Sequence, residues 1–409
     1  MIKFSSYLTE AAKNVHMEHL EDSIINDGVK GARDAINFLQ SLRDMLSGTS
    51  PSAVNATVKW DGAPAIFAGI DPTDGKFFIA KKGIFNKNPK IYKTPSEIDA
   101  DTSGDLATKF KLALKYLPEL GIEGVIQGDF LFSNDTLNSE TIDGEKVHTF
   151  HPNTIVYIVP AASELGATVK KAKIGVVWHT KYVGDSFETM KAVFGQEISS
   201  KLKRSKNVWH NDATFKDVSG KATMTAKETE QITKILSEAG KVFRKLDAAM
   251  LNTIAGDEEL KMRIKTHFNT KVRAGERISN PSAHVRDLVN YIAGVYDKEI
   301  ASKKTEASKS QWRERKATAM RFFSNANFTS LVSMFEMMNM IIAAKELIVS
   351  KMDQASKIKT LLKTKNGYEV TSPEGYVAIN HVGNAVKLVN RLQFSRANFS
   401  ADVIKGWQK

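Results

Sequence analysis

The sequence predicts an α+β protein in which one domain of antiparallel sheets is interrupted by a large helical insertion. Three observations carry this. Residues 54 to about 185 hold short β-rich runs bounded by Gly, Asn, Asp and Pro; 187 to 364 carry a helical period; strand chemistry returns over 367–392. The expected division is therefore 1–186, N-terminal helices and the first part of the sheet domain; 187–365, the helical insertion; and 366–409, strands that complete the sheet domain.

The elements follow in order. Over 10–48, Leu20, Ile24, Ile25, Val29, Ala32, Ile36, Leu39, Leu42 and Leu46 recur at three- and four-residue steps, and "SGTSPS" ends the helix. "AVNATVKW", "PAIFAGI", "KFFIAKKGIF", "GVIQGDFLF", "NTIVYIVP" and "KIGVVWHTKYVG" read as strands, with one helix near 104–117 among them. The helical block contains three basic runs, "KLKRSK", "KMRIKTHFNTKVR" and "KKTEASKSQWRERKATAMR". Its Met-rich stretch "LVSMFEMMNMIIAAKELI" (331–348) reads as buried helix, because Met fills irregular apolar gaps. "GYEVTSPEGYVAINHVGNAVKLVNRL" (367–392) reads as a hairpin pair followed by a short tail.

Composition narrows the chemistry. The 409 residues include no cysteine, which excludes disulfides, thiolate metal sites and cysteine nucleophiles and fits a reducing compartment. No apolar run approaches the ~20 residues of a membrane helix, and "MIKFSSYLTEAAK" lacks the apolar core of a secretory signal. A net charge of +12 favours polyanion partners, nucleic acid first. A solvated basic surface is the plain alternative.

In "VKWDGAPAIFAG" (58–69), Lys59 precedes a turn at Asp61-Gly62. It reads either as a hairpin-end charge or as a nucleophile whose amine is freed by apolar neighbours and nearby cations. Downstream, "SPEGYVAI" holds Glu374-Gly375 and "AVKLV" holds Lys387. Taken in order, these motifs resemble the covalent nucleotidyltransferase superfamily of ATP-dependent DNA and RNA ligases and capping enzymes. The resemblance covers roughly 54–185 and 367–392 and implies a ligase-type nucleotidyltransferase domain.

Lys59 matches the lysine that accepts the nucleotide, with Val58, Trp60, Asp61 and Gly62 around it. Lys81, Lys82 and Gly83 look like the basic strand-turn that follows. Gly128-Asp129 resembles the Gly-acid strand motif, with Asp in place of Glu. Trp178 stands where an aromatic ring stacks on the base, and His179 where an acid is common. Glu374-Gly375 matches the metal-binding Glu-Gly motif. Lys387 matches the first basic residue of the last motif; Leu388-Val389 replace its second lysine, and Arg391 is the substitute. Pro64 stands where many DNA ligases place arginine. From the residues alone, His148, His151 and His179 have no partner at metal-ligand spacing and read as structural or loop histidines.

The implied activity is polynucleotide ligation, RNA before DNA, through a lysyl-AMP intermediate that joins 5′-phosphate to 3′-hydroxyl ends. ATP and Mg²⁺ (or Mn²⁺) are implied, with Glu374 and Asp129 as metal ligands and Lys82, Lys387 and Arg391 neutralising phosphate. Only 17 residues follow Leu392, too few for the OB-fold domain of DNA ligases and capping enzymes, which turns the reading towards RNA ligases. Arg313, Arg315, Lys316 and Arg321 are the expected contacts to nucleic-acid phosphates, alongside Lys81, Lys82 and Arg391. The alternatives are transfer of the nucleotide to another acceptor, or a nucleic-acid-binding virion protein that keeps the fold without turnover. Finally, the first residues resemble the N-terminal peptide of proteins packaged by tailed phages, with Leu8-Thr9-Glu10 as the processing site. The expected localisation is cytoplasmic, which is the host cytoplasm if the chain is viral, with packaging in the virion as the further reading.

Overall fold

The structure, a computed structural model, describes residues 18–49, 54–194, 196–214, 223–323, 325–354, 358–372, 374–380 and 385–408. Leu8-Thr9-Glu10 lies outside the described residues. Helix α1 (Ser23–Leu46) buries Ile24, Ile25, Ala32, Ala35, Leu39 and Leu42, the residues its period places on one face.

The strand-rich stretch then runs β1 (Val54–Val58), β2 (Ala65–Ile70), β3 (Phe77–Ala80), β4 (Ile91–Tyr92), α2 (Pro95–Asp101), α3 (Gly104–Tyr116), β5 (Val125–Ser133) and β6 (Asn138–Ile142). It continues through β7 (Glu145–Phe150), β8 (Ile155–Pro160), α4 (Glu164–Lys171), β9 (Ile174–Val183), β10 (Lys191–Phe194) and β11 (Val208–Asp212). Six helices follow: α5 (Ala226–Phe243), α6 (Ala248–Gly256), α7 (Glu258–Arg273), α8 (Pro281–Ser302), α9 (Glu306–Phe322) and α10 (Asn325–Asp353). The chain closes with β12 (Lys359–Thr364), β13 (Gly367–Val370), β14 (Tyr376–Asn380), β15 (Ala385–Leu388) and α11 (Arg391–Phe399).

The strands form three sheets. The largest has the order β10-β9-β5-β2-β3-β4, with β11 on the outer edge of β9; the second is β13-β12-β8-β7-β6; the third is β1-β14-β15. All pairings among these strands are antiparallel except β11 with β9. The protein is thus α+β, with antiparallel sheets and flanking helices.

The helical run differs from the expected 187–365. It spans α5 to α10, while β10 and β11 are short strands at the edge of the large sheet and β12 lies in the second sheet between β13 and β8. Runs of four to six residues give too few periods to stand out from helical neighbours. Helix α1 also shares one apolar core with α5–α8 and α10, so the helical body draws on both ends of the chain. Met334, Met337 and Met338 of α10 are fully buried in that core. The expected 367–392 hairpin divides: β13 pairs with β12, whereas β14 pairs with β15 and β1. The tail after β15 is helical.

Residues 18–22 tie these bodies together. Lys387 N–H donates to Glu18 O (2.9 Å), and His19 bridges Lys387, so this segment extends the edge of β15. Buried Glu21 then pairs with buried Lys345 of α10 at 2.7 Å. Asp22 takes two bonds from Arg391 (2.7 and 3.2 Å), whose guanidinium also bonds Asn269 and lies over the Phe268 ring of α7.

Candidate active site

Lys59 leaves β1 where two sheets meet. Val58 N–H donates to Ala213 O just beyond β11, and Lys59 N–H donates to Gly375 O at 2.8 Å. Backbone pairing on both sides therefore fixes the stem of Lys59. Its Nζ forms an ion pair with Glu374 Oε2, although 315 positions separate the two residues. The Glu374 side chain is only 8% exposed and that of Lys59 25%, so the pair faces a half-open cleft. Gly375 has φ +127°, and a Cβ there would meet Leu388 O at 2.7 Å, which explains glycine beside Glu374.

Asp61 is buried and turned inward. Its carboxylate accepts from Asn153 Nδ2 (2.6 Å) and from the backbone N–H groups of Thr154 (2.6 Å) and Ile155 (2.8 Å). Its own N–H donates to Tyr157 Oη at 2.7 Å. Gly62 packs so close to β5 that a Cβ would meet Asp129 Cβ at 2.5 Å. Buried Lys109 of α3 donates to Ala63 O (3.1 Å) and pairs with Asp105. The turn after Lys59 is thus held from three elements.

Asn153, Thr154, Tyr157 and Lys109 were missed in the sequence; the only signal was a polar pair at the entrance of a strand. Asp61→Ala is expected to orphan two buried backbone N–H groups and lower stability by about 3 kcal/mol. Urea unfolding beside the wild type measures it.

Asp129 on β5 faces the same cleft. Burial pushes its carboxyl up to about 7, the charges of Glu374 and Asp61 add to the rise, and Lys59 and Lys82 oppose it. Burial likewise pushes Glu374 up to about 6, against the pull of Lys59. His179 Nε2 lies 3.8 Å from Asp129 Oδ2. Its pKa is pushed down to about 4 by burial and by Lys59, so the ring is neutral at pH 7. Burial also lowers Lys387, as does the nearby charge of Lys59, while Glu374 pulls the other way.

Asp129 contributes stability while protonated, fully below pH 4, and that contribution is lost as pH rises through 7. Asp129→Asn is therefore expected to raise the unfolding free energy by roughly 2–4 kcal/mol at pH 8 and by little at pH 4. Melting curves at the two pH values check the sign.

Other sequence-predicted residues lie elsewhere. Trp178 is fully buried against Ile66, Ile126 and Phe130 on the α3-covered face of the large sheet, opposite Asp129, and offers no free ring to a base. A register shift between Gln127 and Gly128 sets His179, not Trp178, beside Asp129. Trp60 is half-buried, its ring 5.1 Å from Tyr157. Lys81 pairs with Asp101 (2.6 Å), away from the cleft, whereas exposed Lys82 heads a 3₁₀ turn within reach of Asp129's charge. Arg391 is committed to Asp22 and is buried, which removes it from phosphate contact.

Arg313 and Lys316 of α9 pair with Glu306 (2.5 Å) and Asp297 (2.6 Å); Arg315 lies over Trp312 and Arg321 bonds Thr318. His148 bonds Ser139 Oγ and His151 the Thr154 carbonyl, both local partners.

Among the described residues no group of three or more His, Asp or Glu side chains gathers as a metal cage. Mg²⁺ bound with nucleotide needs only one or two carboxylates, because phosphate and water complete its shell. Glu374 and Asp129, hard oxygen donors whose carboxyls burial pushes up, fit that smaller requirement. No helix of the described residues is long and apolar enough to cross a membrane. Comparison with curated proteins and with solved structures finds no match for the chain. Its residues 14–403 match DUF6267, a family of unknown function, and the chain belongs to that family.

Proposed function

We propose that the protein is an ATP-dependent nucleotidyltransferase of the polynucleotide-ligase kind, acting on RNA before DNA, with Lys59 as the covalent AMP acceptor. One observation carries the reading: Lys59 and Glu374, 315 positions apart, meet in an ion pair at a cleft that Asp129 and Lys387 also face.

In the resting site Lys59 Nζ is paired with Glu374. As Glu374 turns from Nζ to the incoming nucleotide, Nζ gives up a proton to solvent and its lone pair is free to attack. Lys59 Nζ then bonds to the α-phosphorus of ATP as the bond to the bridging oxygen breaks, and pyrophosphate leaves. AMP passes from Nζ to the 5′-phosphate of a polynucleotide end, and a 3′-hydroxyl displaces it. Lys82 and Lys387, whose charges act on Asp129 and Glu374, would neutralise charge on the transferring phosphate. Glu374 and Asp129 would hold Mg²⁺, which supplies further charge neutralisation. Both carboxylates ionise near pH 6–7, so transfer is expected to fall as pH drops from 8 through 6; initial rates across that range test it.

The direct experiment incubates the protein with Mg²⁺ and α-labelled ATP or GTP. An acid-labile, alkali-stable label on the chain supports the reading, and its absence counts against it. A chase with 5′-phosphorylated RNA, nicked RNA and nicked DNA identifies the acceptor; release of AMP to another acceptor favours the transferase alternative.

A further inference from the structure

Of the three basic runs in the sequence, 261–273 is largely neutralised within the helical body and 303–321 only in part. Lys261, Arg263, Lys265 and Lys271 pair with Glu258, Glu259, Glu18 and Asp287. Lys303, Arg313 and Lys316 pair with Glu299, Glu306 and Asp297, whereas Lys304, Lys309, Arg315 and Arg321 have no acidic partner within ion-pair distance among the described residues. The third, "KLKRSK", behaves differently. Lys201, Lys203, Arg204 and Lys206 are all exposed, and among the described residues none has an acidic partner within ion-pair distance.

This loop is nonetheless firmly built. Ile198 and Ser199 N–H groups donate to Asp212 Oδ1 at 2.8 and 2.9 Å. Lys203 N–H donates to Leu120 O, and the Lys203 stem lies over Gly121. Asn207 O accepts from Lys173 and Ile174 N–H groups. Glu119, the acid beside the loop, bonds Ser205 and Asn207 and neutralises none of the four cations.

Four unpaired charges on an ordered backbone incur little ordering entropy when a polyanion binds. The loop also feeds directly into β11, whose far end at Ala213 accepts the Val58 N–H beside Lys59. One short strand, about 17 Å at ~3.3 Å per residue, therefore separates the loop from the cleft.

We propose that the loop carrying Lys201, Lys203, Arg204 and Lys206 docks the phosphodiester backbone of the nucleic acid, which the cleft would join at its end. This rests on the ligase-type reading for its substrate class and moves the nucleic-acid surface from α9 to the edge of the large sheet. The contacts are to phosphate, so they position the strand without reading sequence.

The test is binding of a short fluorescein-labelled single-stranded RNA by anisotropy across a salt series. It uses the full chain with Lys201→Ser, Lys203→Ser, Arg204→Ser and Lys206→Ser together. Affinity at low salt is expected to fall roughly ten- to a hundredfold, and the log–log salt slope by about three. A second variant that keeps Lys203, whose stem packs on Gly121, is expected to lose about two units of slope. Arg313→Ser with Lys316→Ser is expected to leave both quantities nearly unchanged.

Unchanged affinity and slope in the four-residue variant, no RNA binding by the wild type, or loss of binding only to phosphatidylserine vesicles would each overturn the proposal. Labelling with ATP on the same variant reads the Lys59 assignment separately and is expected to be unaffected. Loss of RNA binding without any label in the wild type sinks the ligase reading and leaves the docking surface standing.

Discussion

Lys59→Ala is expected to abolish covalent nucleotide transfer, lowering it by at least ~10³-fold, because it removes the amine that the proposed mechanism makes the acceptor. Lys59→Arg sharpens the point. A guanidinium stays protonated and cannot attack, yet it keeps a positive partner for Glu374. The arginine variant should therefore lose transfer while keeping wild-type stability. The alanine variant leaves Glu374, 8% exposed, facing Asp129 and Asp61 without its cation. It should lose stability as well, by about 1–3 kcal/mol at pH 8. At pH 4 that penalty should vanish, since Glu374, pushed up to about 6, is then protonated. A lysine that only pairs with Glu374 would show this pH-dependent cost without the loss of transfer.

The second large effect is structural. Lys345→Met leaves Glu21, fully buried, without its 2.7 Å partner and is expected to cost about 3–5 kcal/mol. Replacing the pair together, Glu21→Leu with Lys345→Met, should recover most of that loss, because neither position then leaves an unpaired buried charge. Lys387 hangs from the same segment through Glu18 O and His19. The single variant should therefore also weaken nucleotide transfer more than its residual fold content explains. Urea denaturation of the two single variants and the double variant, with labelling rates alongside, separates the contributions.

Much of the architecture can be read from the chain before any coordinates. The apolar period of α1, the strands β2, β5, β8 and β9, helix α3 and the buried Met stripe of α10 follow from local pattern, because each is long enough to display its period. The convergence of Lys59, Asp129, Glu374 and Lys387 was legible only through motif order, since strand pairing across 315 positions leaves no local trace.

What could not be read has physical causes. One register shift in β5/β9 buries Trp178 and sets His179 beside Asp129, and side-chain alternation cannot foretell a bulge. Arg391 reads as a free cation until Asp22, 369 positions away, is brought against it. The partners that hold Asp61 belong to a loop whose composition is unremarkable. Helix α1 joined the helical body because an apolar face specifies burial but not the partner that buries it.

The central claim is that Lys59 is the covalent acceptor. Its most direct test is peptide mapping by mass spectrometry of the protein after incubation with ATP and Mg²⁺, quenched under alkaline conditions. The expected result is an AMP adduct on the peptide that contains Lys59, absent from Lys59→Arg. An adduct on a different residue, or unmodified peptide in a protein that nonetheless binds ATP, would contradict the account.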